Sequence, residues 1–335
     1  MSDSVTAFHR RRVASDDAAR FAHLRFFDFS EAATDARAEI IAGLELPAAS
    51  ISPKYFYDAL GSRLFEAICE LPEYTLTRDE QSIFERDATR IAREIGPIDA
   101  LIDLGAGNSE KAERLFRALA PAQYVAVDIA VDFLKTSLRH LADRHPELEV
   151  VGVAQDFTRS LRLPPPVRDA RRLFFYPGSS IGNFGADAAA QFLARVHAQA
   201  AGGHLLLGAD LVKDSAELEA AYDDALGVTA AFNLNVLAQA NRLAGTDFEV
   251  ADWRHVALFN SAESRVEMHL EARHRLVVRW AGGERHFEAG ERIHTENSHK
   301  YTLESLRTLL ESAGFHEVRV FADEQSRFVV ALATG

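Results

Sequence analysis

The sequence predicts an α/β fold in which a doubly wound, mostly parallel sheet carries an added α+β lobe. Two features predict it. From about residue 100, short apolar runs alternate with helical stretches, as strands and helices do when they wind into a parallel sheet. Around residues 265–287, apolar and polar residues instead alternate singly and meet a Gly-Gly turn, the pattern of a small antiparallel sheet. With 335 residues, the chain has room for one large domain and a sizeable second element.

Taken in order, residues 1–30 are charged and irregular and are expected to form a loosely attached leader. Arg10, Arg11 and Arg12 within it read as a solvated arm. Residues 31–95 read as helical, with Ser62 and Thr77 as candidate caps, and are expected to contribute to the second lobe. Residues 96–212 carry five strand-like runs: Ala100–Leu104, Tyr124–Ile129, Val150–Val153, Leu173–Tyr176 and His204–Gly208. Residues 213–301 form the second lobe, with a helical period that continues to about residue 260. Arg265–Ala272 then alternates like a half-buried strand, and Gly282-Gly283 turns Leu276–Trp280 back onto Arg285–Phe287. Residues 302–335 hold a helix, the breaker Gly314 and two strands that return the chain to the first sheet.

Composition removes several functions. A net charge of -13 and the lack of a polybasic run argue against a nucleic-acid partner. Cys69 is the only cysteine, which excludes an internal disulfide and a cysteine-only metal cage; its apolar surroundings read as core. No run reaches the length of a membrane span and no signal-peptide stretch is present, so the plainest address is the reducing cytoplasm, with no membrane partner. His255, His269, His274, His286, His294 and His299 match no ligand spacing, and strand alternation is expected to scatter them over both faces, so no metal is expected. The oligomeric state is not set by the sequence, and a monomer is compatible with it.

The sharpest local pattern is Asp103-Leu104-Gly105-Ala106-Gly107-Asn108-Ser109-Glu110-Lys111, between the first strand of the wound region and the next helix. Gly105 and Gly107 permit a tight turn and a close approach of ligand to backbone. Glu110 occupies the third glycine position of a dinucleotide fingerprint, where a carboxylate repels a pyrophosphate; this weakens an NAD-dependent dehydrogenase reading. Asp128 ends the second run, placed to accept both hydroxyls of a ribose. Asp156 and Phe157 follow the third run, where a carboxylate and a ring suit an adenine. Each feature alone is as often a turn or a helix cap. In order at the ends of successive strands, they predict an S-adenosylmethionine site.

From about residue 35 to 333, the chain resembles the L-histidine Nα-methyltransferases of ergothioneine biosynthesis. The resemblance rests on Lys54-Tyr55-Phe56-Tyr57-Asp58, Leu71-Pro72-Glu73-Tyr74, Gly105-Ala106-Gly107 and Pro177-Gly178-Ser179-Ser180-Ile181-Gly182-Asn183. It continues in Ala221-Tyr222-Asp223-Asp224, in Gly227 to Asn233 and in Thr295-Glu296-Asn297-Ser298. It implies a class I methyltransferase core, Rossmann-like, with an added substrate-binding lobe. It implies that Gly105, Gly107, Lys111, Asp128, Asp156 and Phe157 contact the cofactor. Asn183 and Tyr222 then hold the substrate carboxylate, Tyr57 and Tyr74 sit at its amino end as the catalytic pair, and Glu296 with Ser298 take the imidazole. Met268 lines the same pocket. The implied activity is methylation of the α-amino nitrogen of L-histidine, three times, giving hercynine.

Thr75, where relatives often carry a second tyrosine, and His299 beside the imidazole pair depart from the family pattern. Without the resemblance, Tyr57, Tyr74 and Tyr222 read as half-buried core tyrosines, Asn183 as a turn residue and Glu296 as a surface carboxylate. The same fold acting on another amine and a non-catalytic adenosylmethionine-binding protein stand as alternatives.

Overall fold

The structure, a computed structural model, describes residues 21–30 and 33–335. Its N-terminal part supplies strand β1 (Leu24–Asp28) and helices α1 (Ala33–Glu45), α2 (Ala59–Cys69) and α3 (Leu76–Ile95). The wound region follows: β2 (Ala100–Leu104), α4 (Glu110–Leu119), β3 (Gln123–Asp128), α5 (Val131–Arg144), β4 (Glu149–Ala154), β5 (Arg172–Tyr176), α6 (Ala186–Ala200) and β6 (His204–Asp210). An insert then interposes α7 (Ser215–Tyr222), α8 (Val228–Ala244), β7 (Trp253–Asn260), β8 (Arg265–Ala272), β9 (Leu276–Trp280), β10 (Gly283–Phe287) and β11 (Arg292–His299). Helix α9 (Leu303–Ser312) and strands β12 (His316–Ala322) and β13 (Phe328–Thr334) end the chain.

The main sheet runs β1-β4-β3-β2-β5-β6-β13-β12, parallel from β1 to β6, with β13 antiparallel to both of its neighbours. Strand order reverses at β2, between β3 and β5, which opens a crevice at the carboxyl ends of these strands. Unbroken runs such as Ala100-Leu101-Ile102-Asp103-Leu104 are buried throughout, because helices cover both faces. Alternate residues feed two cores: Leu101, Leu173 and Phe175 pack with α3, α4 and α5, while Ile102, Leu104 and Phe174 pack with α6 and α9. Among the described residues no helix is long and apolar enough to cross a membrane.

Several expectations change. The sequence assigns residues 1–30 to a leader, but Leu24–Asp28 extends the sheet by pairing in parallel with β4; residues 1–20, including the arginine cluster, lie outside the described residues. Ser62 and Thr77 do not cap. Asp58 caps α2 through its carboxylate to the Gly61 N–H, and α3 begins at Leu76, which leaves Ser62 and Thr77 inside helices. The helical period of the insert stops at Gly245, whose φ of 69° suits a left-handed cap; Trp253–Asn260 is a strand, held by pairing with β8 along its full length. Gly283 pairs with Trp280, so the hairpin turn is Ala281-Gly282, one residue earlier than the Gly-Gly pair suggests.

The insert departs and returns at one place. Tyr301 N–H donates to Asp210 O (3.0 Å) and Val212 N–H donates to Tyr301 O (3.0 Å), so its two ends are hydrogen-bonded neighbours. Its sheet, β11-β8-β7, has the segment before α2 on its outer edge: His294 N–H donates to Ala49 O (2.8 Å) and Ile51 N–H to His294 O (2.9 Å). That pairing carries Tyr57 toward β11. In β11 a bulge between His294 and Glu296 changes the phase of the strand. Ile293 and Thr295 are buried before it, and Glu296, Ser298 and Lys300 after it.

Gly182 fits against β11 because it has no Cβ; a methyl there lies 2.8 Å from the His299 carbonyl oxygen. Gly182→Ala is expected to cost about 1–3 kcal/mol in urea unfolding, the range for overpacking. A loss below about 0.5 kcal/mol, the scale of a neutral surface change, means that the turn over residues 180–183 moves off β11 freely.

Candidate functional site

The crevice at the end of β2 is floored by the glycine turn. Gly105 and Gly107 have φ of 73° and 53°, conformations that a side chain disfavours. Above Gly107 the space is open, and a Cβ at Gly105 meets only the Phe157 ring, at 3.8 Å. Asp128, at the end of β3, accepts from the Gly107 N–H (2.9 Å, Oδ2) and the Ala130 N–H (2.9 Å, Oδ1). These bonds fix its carboxylate beside the turn and leave each oxygen a further lone pair for a hydroxyl donor. Burial nonetheless holds the carboxyl above its usual range, against the pull of those N–H groups. Beneath the turn, burial raises Asp103 to about 7, although Tyr124 donates to it at 2.7 Å.

Asp156 and Phe157 follow β4 on the adjoining side. The Phe157 ring packs edge-on against Tyr176, with centroids 6.0 Å apart, and borders the turn at Gly105. Asp156 accepts from Thr158 N–H (3.1 Å) and pairs with Lys54 Nζ (3.2 Å), which also holds Glu39 of α1 at 2.7 Å. Lys54 thereby ties α1 to the rim of the crevice. Lys111, in the first turn of α4, donates to Glu80 Oε2 (2.7 Å), and Glu80 Oε1 accepts from Gly178 N–H (2.7 Å). Glu80 is 1% exposed and lies against Gly208, where a Cβ falls 2.3 Å from its oxygen. The residues expected for the adenosylmethionine site therefore converge on one crevice.

A second group faces it from the insert and α2. Tyr57, Phe65, Tyr74 and Tyr222 form a chain of edge-on rings, with centroids 5.7, 6.4 and 6.1 Å apart in that order. Phe232 of α8 closes one side, 5.8 Å from Tyr57. Burial, then the carboxylate of Glu296, pushes the Tyr57 phenol well above its usual range; Tyr74 moves the same way through burial and Tyr222. Both phenols stay neutral. Glu296 is 8% exposed and Ser298 3%, on one face of β11, with Met268 opposite Glu296 on β8. Tyr222 donates to Ser298 Oγ at 2.7 Å. Asn183, half-buried, ends the 3-10 turn Ser180–Asn183 that rests on β11.

The sequence reading misses three polar residues here. Glu80 lies in mid-helix and carries no local signal. Asp210 ends β6 and meets the strand-end rule that singles out Asp128 and Asp156. Lys300 lies two residues beyond Ser298 and pairs with Asp210 at 2.9 Å. The histidines are less scattered than strand alternation suggests: His269 and His294 are cross-strand neighbours, with ring centroids 5.3 Å apart. His269 contacts Glu267 at 3.1 Å, and His255 contacts the Tyr222 carbonyl at 2.8 Å. Thr75 is the N-cap residue of α3, and Cys69 ends α2 half-buried against the core.

Comparison with known proteins gives the family. Residues 36–335 match the model of a family described as histidine-specific, SAM-dependent methyltransferases. A histidine N-alpha-methyltransferase of Mycobacterium tuberculosis is 40% identical over 304 residues, covering 89% of this chain and 94% of that protein. One from Mycolicibacterium smegmatis is 40% identical over 309 residues, covering 90% of this chain and 95% of its own. Ergothioneine biosynthesis protein 1 of Neurospora crassa is 32% identical over 273 residues, 78% of this chain and 30% of that protein.

Glu296 carries a pH signature. Burial raises its carboxyl from 4.5 to about 7, with the Lys300 charge opposing. The fold thus favours the protonated acid, and this contribution to stability is full below the unfolded value and lost as pH rises through the folded one. Glu296→Gln, which cannot ionise, is expected to be the more stable protein at about pH 8, by on the order of 3 kcal/mol, and nearly equal to the parent at about pH 4. Thermal melts at the two pH values check this, and an equal difference at both contradicts it.

Proposed function

The chain belongs to the family of histidine-specific, SAM-dependent methyltransferases, and from that membership we infer that it methylates the α-amino nitrogen of L-histidine, as a step of ergothioneine biosynthesis. We propose three successive transfers, ending at trimethylhistidine (hercynine). The observation that carries the residue-level reading is the chain of rings from Tyr57 to Tyr222, which ends on Ser298 through a 2.7 Å hydrogen bond.

In this reading Gly105, Gly107, Asp128, Asp156, Phe157 and Lys111 hold S-adenosylmethionine. Asp128 takes the ribose hydroxyls, Phe157 and Asp156 the adenine, and Lys111 the amino-acid end. When bound, S-adenosylmethionine supplies an activated methyl group to an in-line nucleophile. The wound region is then the cofactor half, and the insert with α1 to α3 is the substrate half. Asn183 and Tyr222 bind the histidine carboxylate, Glu296 and Ser298 the ring, and Met268 fills the space beside it. Fixing the amino acid at both ends leaves its nitrogen one place to sit, between Tyr57 and Tyr74. Holding the reactants at near-attack distance is the main task of such a site, because direct displacement needs no covalent intermediate on the protein.

Nitrogen attacks only as a neutral amine. Tyr57 and Tyr74 are held neutral by burial, so their oxygens accept N–H bonds from the amine and leave its lone pair free, while the amine gives up its proton to water before transfer. Their rings and Phe65 also exclude water around the nitrogen. An aromatic wall suits an amine that gains positive charge and methyl groups, since cations are attracted to ring faces.

Incubation with S-adenosylmethionine and the twenty amino acids, followed by mass spectrometry, tests this reading. Histidine is expected to gain one, two and then three methyl groups on its α-nitrogen. Modification of a different amino acid overturns the assignment of Glu296 and Ser298. Tyr57→Phe is expected to slow the transfer about tenfold or more, the worth of one hydrogen bond in the transition state. An unchanged rate with trimethylhistidine as product removes the Tyr57 hydroxyl from the mechanism.

A further inference from the structure

Glu80 of α3 and Lys111 of α4 meet beside the glycine turn. The side chain of Glu80 is 2% exposed and that of Lys111 35%, so one charge is sealed in and the other is open to the crevice. Lys111 Nζ donates to Glu80 Oε2 at 2.7 Å, and the Gly178 N–H donates to Glu80 Oε1 at 2.7 Å. The backbone bond fixes the carboxylate independently of the lysine. Two glycines make room for the pair. A Cβ at Gly208 falls 2.3 Å from Glu80 Oε1, and one at Gly178 falls 2.9 Å from Lys111 Nζ. An ammonium has three protons to donate. Glu80 takes one, and among the described residues no acceptor takes the others.

We propose that Glu80 is a positioning residue for the cofactor: it anchors the Lys111 ammonium so that its remaining protons meet the carboxylate at the amino-acid end of S-adenosylmethionine. A lysine head rides on a flexible four-carbon stem and swings freely when unpaired. Held on one side by a fixed acceptor, it keeps its other donors in one direction, and less freedom is lost when the ligand arrives. The pair is also neutral as a whole. That suits a ligand whose amino-acid end is a zwitterion and whose sulfonium is a cation, because an unpaired lysine repels both positive groups. The proposal rests on the reading of Lys111 as the residue that takes the amino-acid end.

Two ligands separate this role from a structural one. S-adenosylhomocysteine carries the amino-acid end, whereas methylthioadenosine keeps the adenine, ribose and thioether without it. Binding of both is measured by titration calorimetry on the parent, on Glu80→Gln, and on Glu80→Gln combined with Lys111→Met. Glutamine keeps the shape and still accepts from the Gly178 N–H, but it turns an amide N–H toward the lysine. Glu80→Gln is expected to weaken S-adenosylhomocysteine about 10- to 100-fold, the scale of a charge-assisted hydrogen bond, and to leave methylthioadenosine within about twofold. The double variant is expected to bind S-adenosylhomocysteine no more than about threefold more weakly than Glu80→Gln, because both changes act through one ammonium. If Glu80→Gln weakens both ligands alike, Glu80 only supports the packing of α3 on α4 and the proposal is wrong. A double variant far weaker than Glu80→Gln means that Lys111 holds the ligand unaided, which overturns it equally. If the double variant binds S-adenosylhomocysteine as the parent does, the reading of Lys111 itself fails and takes the proposal with it. Should Glu80→Gln not fold, Gly178→Ala displaces the ammonium from its other side and is expected to split the two ligands in the same way; equal effects on both then sink the proposal.

Discussion

The buried ion pair between Asp210 and Lys300 is the constraint that the rest of the site depends on. It joins the end of the sheet's β6 to the end of the insert's β11, at the point where the insert leaves and rejoins the sheet. Separating the two charges in a dry interior leaves the Lys300 ammonium without its counter-charge, a penalty of several kcal/mol, while Asp210 keeps Lys213 at 2.6 Å. The insert is therefore seated in one position relative to the strand ends that carry the cofactor residues. Glu80 and Lys111 apply the same device on the other side of the crevice. Their pair locks α3 to α4, and the second oxygen of Glu80 holds the backbone at Gly178. Each half of the site is fixed by one ion pair whose carboxylate also serves a second partner.

Much of the fold can be read from the chain alone because it follows from local pattern. The runs Ala100–Leu104 and Leu173–Tyr176 are continuous and apolar because both of their faces are covered, and the structure puts strands there. The glycine turn and the acids Asp128 and Asp156 are visible because they sit at strand ends, where the crevice of a wound sheet has to lie. What stays hidden depends on strand pairing. Leu24–Asp28 is a strand because β4 offers it an edge, and Trp253–Asn260 is a strand because β8 runs beside it. The partner of Leu24–Asp28 is far off in sequence and leaves no local trace, whereas β8 folds back on Trp253–Asn260 through a short hairpin turn that carries no Gly-Gly or Asn-Gly signal.

The polar scaffold is hidden for another reason. Glu80, Asp210 and Lys300 look like ordinary charged residues, and charged residues are mostly exposed. The burial of Glu80 and Lys300 becomes visible only when the opposite charge arrives from more than thirty residues away. The bulge in β11 is a related case. Simple alternation through Ile293, Thr295 and Asn297 points Glu296, Ser298 and Lys300 outward, so Glu296 reads as a surface residue. One extra residue turns all three inward, where Tyr222 of α7 reaches Ser298 and Lys300.

The shared doorway of the insert has a consequence for how such enzymes diversify. A detour whose two ends are already hydrogen-bonded neighbours adds little to the entropy of closing the chain, about 0.6 kcal/mol for each doubling of its length. The sheet's own strand pairing continues on either side whatever lies between Leu211 and Tyr301. The part of the protein that reads the acceptor is therefore modular. It can lengthen, shrink or be exchanged by descent while the half that reads the donor is inherited unchanged, provided that a lysine still returns to meet Asp210.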